Sequence, residues 1–347
     1  MTAPIFIVGA NRSGTTLLRL LLNAHSRVAI PDEINYFYSF DWSVSYTRWA
    51  APALSPAAFA SFVDRFLAEN ESKVPGLDLT ALRAEMLDGP VDLRRPYQLL
   101  LERWASAHGK TRWGEKTPGN IYHANLLIDM FPEAQFVHVV RDPRGGVASM
   151  KRVSFFPDDA VLNALNRHKV MSHGRAHFRR IVPADQRVEI RYEDLVTAPR
   201  ETLRTLCSFL RLPYEEEMLR FHVDAERFMT PAAASSFNET ATRPISEAHA
   251  HKWQSLLTDD EIASVEAICA DEMAEFGYER RHPSLSWAGT LNFAVKWCYW
   301  HVQRWRHRQD VHFSVVTPMF QRSRNRLRAL EQWIKRGIRR TLSRRSV

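Results

Sequence analysis

Residues 4–25 read PIFIVGANRSGTTLLRLLLNAH, and this stretch decides the fold. Ile5 to Val8 is a short apolar run rich in β-branched residues, the pattern of a strand covered on both faces in a parallel sheet. Gly9 ends it, Gly14 permits a tight turn, and Thr15-Thr16 open a helix whose leucines (17, 18, 21 and 22) recur at helical spacing until Asn23-Ala24-His25. The N–H groups of such a loop and the positive end of its helix together make an anion site.

Gly9 and Gly14 have the GxxxxG spacing of a nucleotide-binding P-loop, but Thr15 stands where that motif has lysine. A positive charge is available instead from Arg12 inside the loop. No apolar strand runs into a magnesium-holding aspartate, because the strongest later strand meets Arg141 before Asp142. A cation-rich site of this kind suits transfer of an anion with little help from a metal.

Three later strand ends deliver charge to the same edge of the expected sheet. Val28–Ile30 leads to Pro31-Asp32-Glu33, where a carboxylate could take the proton of an attacking hydroxyl; Asp32 competes with Glu33 for that role. The segment Trp113-Gly114-Glu115-Lys116-Thr117-Pro118 ends a brief strand with an ammonium able to neutralise charge on a departing oxygen. Gln135–Val140 is the strongest strand by β-branching and feeds RDPRGGVAS, residues 141–149. Arg141 is placed there to meet a phosphate, and Ser149 could reach the same oxygens from the next helix. His138, within that strand, reads as a core histidine.

The loop NRSGTTLLRLLLNAH and the run RDPRGGVAS together resemble the two phosphate motifs of sulfotransferases that use 3′-phosphoadenosine 5′-phosphosulfate (PAPS), in the style of the tyrosylprotein and bacterial members. The resemblance implies that Arg12, Ser13, Gly14, Thr15 and Thr16 hold the 5′-phosphate and sulfate, and that Arg141 and Ser149 hold the 3′-phosphate. It further implies Glu33 as general base, Lys116 facing the sulfate, Tyr192 near the 3′-phosphate or adenine, and Lys252 as the basic residue ending a segment that closes over the nucleotide. The implied reaction moves the sulfuryl group of PAPS to a hydroxyl of a glycan, lipid-linked or small-molecule acceptor, releases adenosine 3′,5′-bisphosphate and requires no metal. A P-loop kinase of a small molecule and a non-catalytic, membrane-associated nucleotide-binding protein are the alternatives. The resemblance runs from about residue 4 to 280.

The expected fold is α/β, with a P-loop-NTPase-like, mostly parallel central sheet flanked by helices. Residues 1–283 form that domain. Residues 34–110, aromatic-dense at Tyr36, Phe37, Tyr38, Phe40, Trp42, Tyr46 and Trp49 and then helical, are the expected acceptor region. Helices are expected from Ser55-Pro56, over Pro96–His108, Asn120–Phe131, Asn163–Ile181, Pro199–Leu210 and Asp259–Phe276, and a long loop over 228–252. His173 and His177, four apart, read as an exposed basic face. The cysteines 207, 269 and 298 read as reduced packing residues.

Across 347 residues the net charge is +8, but the average misleads. Residues 281–347 hold 15 Lys/Arg against two Asp/Glu, leaving the preceding 280 at −5. Residues 284–347 therefore read as a basic, helical extension, Trp-rich at 287–305 and amphipathic beyond Pro318, suited to an anionic membrane surface. A partner protein or packing on the domain would also fit it; nucleic acid fits least, given the acidic remainder. The first strand starts within four residues of the N-terminus, so no signal peptide is expected. The expected location is cytoplasmic, peripheral on the inner face of the membrane.

Overall fold

The computed structural model describes residues 3–34, 36–37, 54–230, 243–282 and 284–306. Five strands form one sheet: β1 (Ile5–Gly9), β2 (Val28–Ala29), β3 (Arg112–Lys116), β4 (Gln135–Val140) and β5 (Arg187–Arg191). Their order is β2-β3-β1-β4-β5 and every pairing is parallel. The α/β expectation thus holds. Strands β1 to β4 are buried along their whole length, as strands covered by helices on both faces must be.

The helices, in chain order, are α1 (Thr15–Asn23), α2 (Pro56–Asn70), α3 (Leu79–Leu87), α4 (Arg94–Ala107), α5 (Ala124–Met130), α6 (Pro143–Lys151), α7 (Ala160–Lys169), α8 (Arg175–Ile181), α9 (Tyr192–Thr197), α10 (Pro199–Leu210), α11 (Ala248–His251), α12 (Asp259–Ile268), α13 (Ala270–Glu275) and α14 (Trp287–Arg306). The described chain clusters into two compact units, Met1–Gly145 with Lys169–Lys252, and Gly146–His168 with Trp253–Val347.

The first unit carries the sheet. Phe6 on β1 packs against Trp113, Phe131 and Phe136; Tyr36 stacks on Tyr97 at 4.2 Å, centroid to centroid. Tyr36 and Phe37 are therefore core residues, whereas Tyr38, Phe40, Trp42, Tyr46 and Trp49 lie outside the described residues. Asn23 clips the end of β2, accepting from Ile30 N at 2.7 Å and donating to Ile30 O at 2.9 Å. Ser55 caps α2, with Pro56 at the first helical position.

In the second unit, the buried Arg167 donates to Glu272 at 2.8 Å, and Trp253, Leu257, Ile262 and Val265 form an apolar cluster with Val147 and Ala148. Thr258 and Glu261 make a reciprocal capping box at the start of α12.

Several expectations are corrected. The helix anticipated over Asn163–Ile181 is interrupted by a π segment, Val170–Gly174, between α7 and α8, where Gly174 lets the backbone come against Tyr122. Asp259–Phe276 breaks at Cys269 into α12 and α13. Tyr192 directly follows β5 and opens a short helix, α9. Within the expected loop 228–252, Ala248–His251 is helical and residues 231–242 lie outside the described residues. Cys207 and Cys269 are buried, but Cys298 is exposed, because it lies on the face of α14 turned away from the unit's core. Among the described residues, no group of three or more His, Cys, Asp or Glu side chains has a metal-binding arrangement. The amphipathic segment expected beyond Pro318 lies outside the described residues.

Candidate active site

Parallel pairing in close register aligns the carboxyl ends of the strands. Ile7 on β1 is level with Lys116 on β3, Gly9 with Val139 on β4, and Val140 on β4 with Arg191 on β5. The glycine loop, Lys116, Arg141 and Tyr192 therefore all leave the sheet at one edge.

At the loop, a Cβ on Gly9 would meet Val139 O at 2.6 Å, so only glycine lets β1 turn away from its neighbour here. Arg12 adopts φ 64° and Gly14 φ 96°. This left-handed pairing folds the loop back on itself, with Ser13 N donating to Ala10 O at 3.2 Å. Gly14 is the N-cap of α1 and offers no side chain to its first turn. The leading amides of a helix have no intrahelical acceptor, so those of Thr15 and Thr16 are suited to an anion.

Arg141 joins this loop to the next strand end. Its Nη1 donates to Arg12 O at 3.1 Å, and its Nη2 to His249 O at 3.3 Å. Its guanidinium lies 4.0 Å from the centre of the Tyr192 ring. The ring also lies against the loop backbone: a Cβ on Gly14 would stand 2.3 Å from Tyr192 Cδ2. Tyr192 is thus wedged between the anion loop and the arginine. Burial pushes its phenol up, with Arg141 opposing. The His249 imidazole is held below its ordinary value by burial, then by the cations of Lys252, Arg141 and Arg243, which shows how much positive charge gathers at this end. Asp142 is taken up by Arg144, whose Nη2 donates to it at 2.7 Å.

Lys116 and Glu33 form the second constellation. Lys116 Nζ donates to Glu33 Oε1 at 2.5 Å, with the lysine side chain 2% exposed and the carboxylate 47% exposed. One end of the pair is locked and the other faces solvent. Asp32 is committed elsewhere: it accepts from Glu33 N at 3.1 Å and from Thr230 Oγ1 at 3.1 Å, and lies 3.6 Å from Arg19 Nη2. Burial raises its pKa, but the charges of Arg19 and Lys116 outweigh that and hold it below the usual range. Asp32 thereby fixes the backbone that presents Glu33.

The expected residues thus fall into groups. Arg12, Gly14, Arg141 and Tyr192 meet directly, with Lys252 beside the His249 turn. Ser13, Thr15 and Thr16 belong to the loop, and Glu33 and Lys116 meet each other. Ser149 is half-buried on the second turn of α6 and falls in the second unit. Lys151, on the same helix, donates to Glu261 at 2.5 Å. Residues missed from the sequence include Arg19, which is fully buried and donates to Phe228 O at 2.6 Å. A single arginine inside LLRLLL was the available signal, since a charge on an otherwise apolar helix needs a buried partner. Lys73 was also missed: its ammonium is lowered by burial against the pull of Glu33, Asp32 and Glu115.

Glu115 is fully buried, accepting from Thr117 and, at 2.7 Å, from Asn120. Burial raises its carboxyl from 4.5 to about 7. A raised acid favours the folded state below the unfolded pKa, and that stability is lost as pH rises through the folded pKa. From about pH 4.5 to 7 the chain should therefore lose about 3 kcal/mol through this group. Glu115→Gln is expected to flatten the melting temperature over that interval. An unchanged slope would remove Glu115 as its source.

A family model described as "Sulfotransferase family" matches residues 4–216. The chain belongs to the sulfotransferase family. Among its relatives, protein-tyrosine sulfotransferase 1 of Danio rerio is 26% identical over 290 residues, covering 79% of this chain and 72% of that protein. An uncharacterized protein of Aquifex aeolicus is 24% identical over 63% of this sulfotransferase, which spans only 27% of that relative's length. Two solved structures share the fold. The sulfotransferase domain from the curacin biosynthetic pathway superposes with a TM-score of 0.56 at 24% identity, covering 80% of this chain and 99% of that one. The sulfotransferase domain of the Synechococcus PCC 7002 olefin synthase gives 0.55 at 22%, covering 80% and 97%.

Proposed function

We propose that this sulfotransferase moves the sulfuryl group of PAPS to an acceptor hydroxyl, with Glu33 as general base. The observation that supports the donor most strongly is the contact of Arg141 with Arg12 O and with the Tyr192 ring. It joins two cationic sites across one aromatic ring, as a nucleotide phosphorylated at both ends would require.

PAPS supplies the transferable sulfuryl group. The loop amides and Arg12 bind its 5′ end; Arg141, Tyr192 and Lys252 bind the 3′-phosphate. Glu33 accepts the proton of the acceptor hydroxyl as that oxygen bonds to sulfur. The bond from sulfur to the bridging oxygen breaks, and Lys116 neutralises the charge left on the phosphate side. Adenosine 3′,5′-bisphosphate leaves. The Glu33–Lys116 ion pair holds the carboxylate and the ammonium against each other until substrates enter. Relatives named for protein tyrosine support a hydroxyl acceptor in general; a glycan, a lipid-linked sugar and a small molecule all carry one.

Thermal shift separates this reading from a small-molecule kinase. Adenosine 3′,5′-bisphosphate is expected to raise the melting temperature without added magnesium, by about 2.7 kcal/mol of stability at one hundred times its Kd. Stabilisation by ATP–Mg²⁺ alone would favour the kinase.

A further inference from the structure

The helix α14, in the second unit, has two faces of opposite character. On one, Trp300 is buried with Val161, Leu162 and Leu165, and its indole donates to Asn166 Oδ1 at 2.8 Å. Lys296 on the same side pairs with Asp159 at 2.5 Å. These contacts fix which way the helix is turned. On the other face, Trp287 is 79% exposed, Leu291 36%, Trp297 44% and Val302 48%. Trp287, Leu291, Cys298 and Val302 recur at intervals of four, seven and four residues, a single strip at 3.6 residues per turn. Trp297 flanks the strip, its ring 4.0 Å from that of His301. Exposed apolar residues scattered singly need no explanation, but a strip led by Trp287 and flanked by Trp297 does.

We propose that this strip is a docking face for an anionic lipid surface. Charge complementarity points to that partner. Trp287–Arg306 contains no Asp or Glu, and the sequence that follows, residues 307–347, carries 11 Lys/Arg against two Asp/Glu. Tryptophan rings favour the boundary between headgroups and acyl chains, and basic residues beside them add attraction to anionic lipid. Among the described residues, no helix is long and apolar enough to cross a membrane. A hydroxyl acceptor held in a membrane would then reach the enzyme by diffusion in two dimensions.

Cys298 provides the test, because it is exposed on the strip while Cys207 and Cys269 are buried. The full chain is labelled there with an environment-sensitive thiol dye and titrated with vesicles of phosphatidylcholine alone or mixed with phosphatidylglycerol. A blue shift and co-sedimentation with the mixed vesicles only, both reversed by high salt, are expected. The double variant Trp287→Ala/Trp297→Ala should weaken co-sedimentation by at least about tenfold, with its melting temperature checked separately. Three results would each overturn the proposal: no dye shift with mixed vesicles, equal binding of the double variant, or a shift produced by RNA and not by vesicles.

Discussion

Glu33→Gln is expected to lower turnover by about 10²–10⁴-fold while leaving the affinity for adenosine 3′,5′-bisphosphate within about twofold of wild type. The range corresponds to about 3–5 kcal/mol of transition-state stabilisation. The amide keeps an acceptor for Lys116, whose ammonium is nearly closed off from solvent, but it cannot take a proton. The variant therefore separates proton transfer from the ion pair. Asp32→Asn is the companion. Because Asp32 holds Arg19, Thr230 and the Glu33 backbone, its loss should act chiefly on stability, by about 2–3 kcal/mol. Single-turnover rates and melts of both variants decide the matter. If Asp32→Asn abolished turnover at normal stability and Glu33→Gln retained it, the base would be Asp32.

The second large effect is expected at Gly14. Alanine there adds a Cβ 2.3 Å from Tyr192 Cδ2, at φ 96°, a backbone conformation that itself costs an L-residue about 1 kcal/mol. The ring must move, and it is the ring on which the Arg141 guanidinium rests at 4.0 Å. Gly14→Ala should therefore weaken binding of adenosine 3′,5′-bisphosphate by about 10–100-fold, from about 1–3 kcal/mol of strain. The loss should involve the 3′-phosphate, although residue 14 belongs to the 5′ loop. Calorimetry with adenosine 3′,5′-bisphosphate and adenosine 5′-monophosphate reads this directly. Equal weakening of both ligands would mean that the ring does not couple the two ends.

How much of this was legible in the sequence follows from what each residue needs. Strand, glycine loop and leucine-rich helix were readable because each has a local pattern, and parallel strands then place their exits at one edge without further information. Arg12, Lys116 and Arg141 could be named for the same reason. The partnership of Lys116 with Glu33 could not be read, since 83 positions separate them and only the β2-β3 neighbourhood brings them together. Arg19 and the clamp it forms with Asp32 and Thr230 were hidden likewise, because Thr230 is 198 positions from Asp32. The π segment at Val170–Gly174 and the break at Cys269 were missed because helical periodicity continues across both. In α14 the tryptophans were visible, but which of them face inward depended on Asp159 and Asn166, more than 100 positions earlier.

The central claim is that one doubly phosphorylated nucleotide bridges the Arg12 loop and Arg141. A double-mutant cycle across ligand and protein tests it: adenosine 3′,5′-bisphosphate and adenosine 5′-monophosphate are each titrated into wild type and Arg141→Ala. The expected result is that wild type prefers the bisphosphate by at least about 1.5 kcal/mol and that Arg141→Ala loses most of that preference. If the variant discriminates between the two ligands as strongly as wild type does, Arg141 does not hold the 3′-phosphate and the account is contradicted.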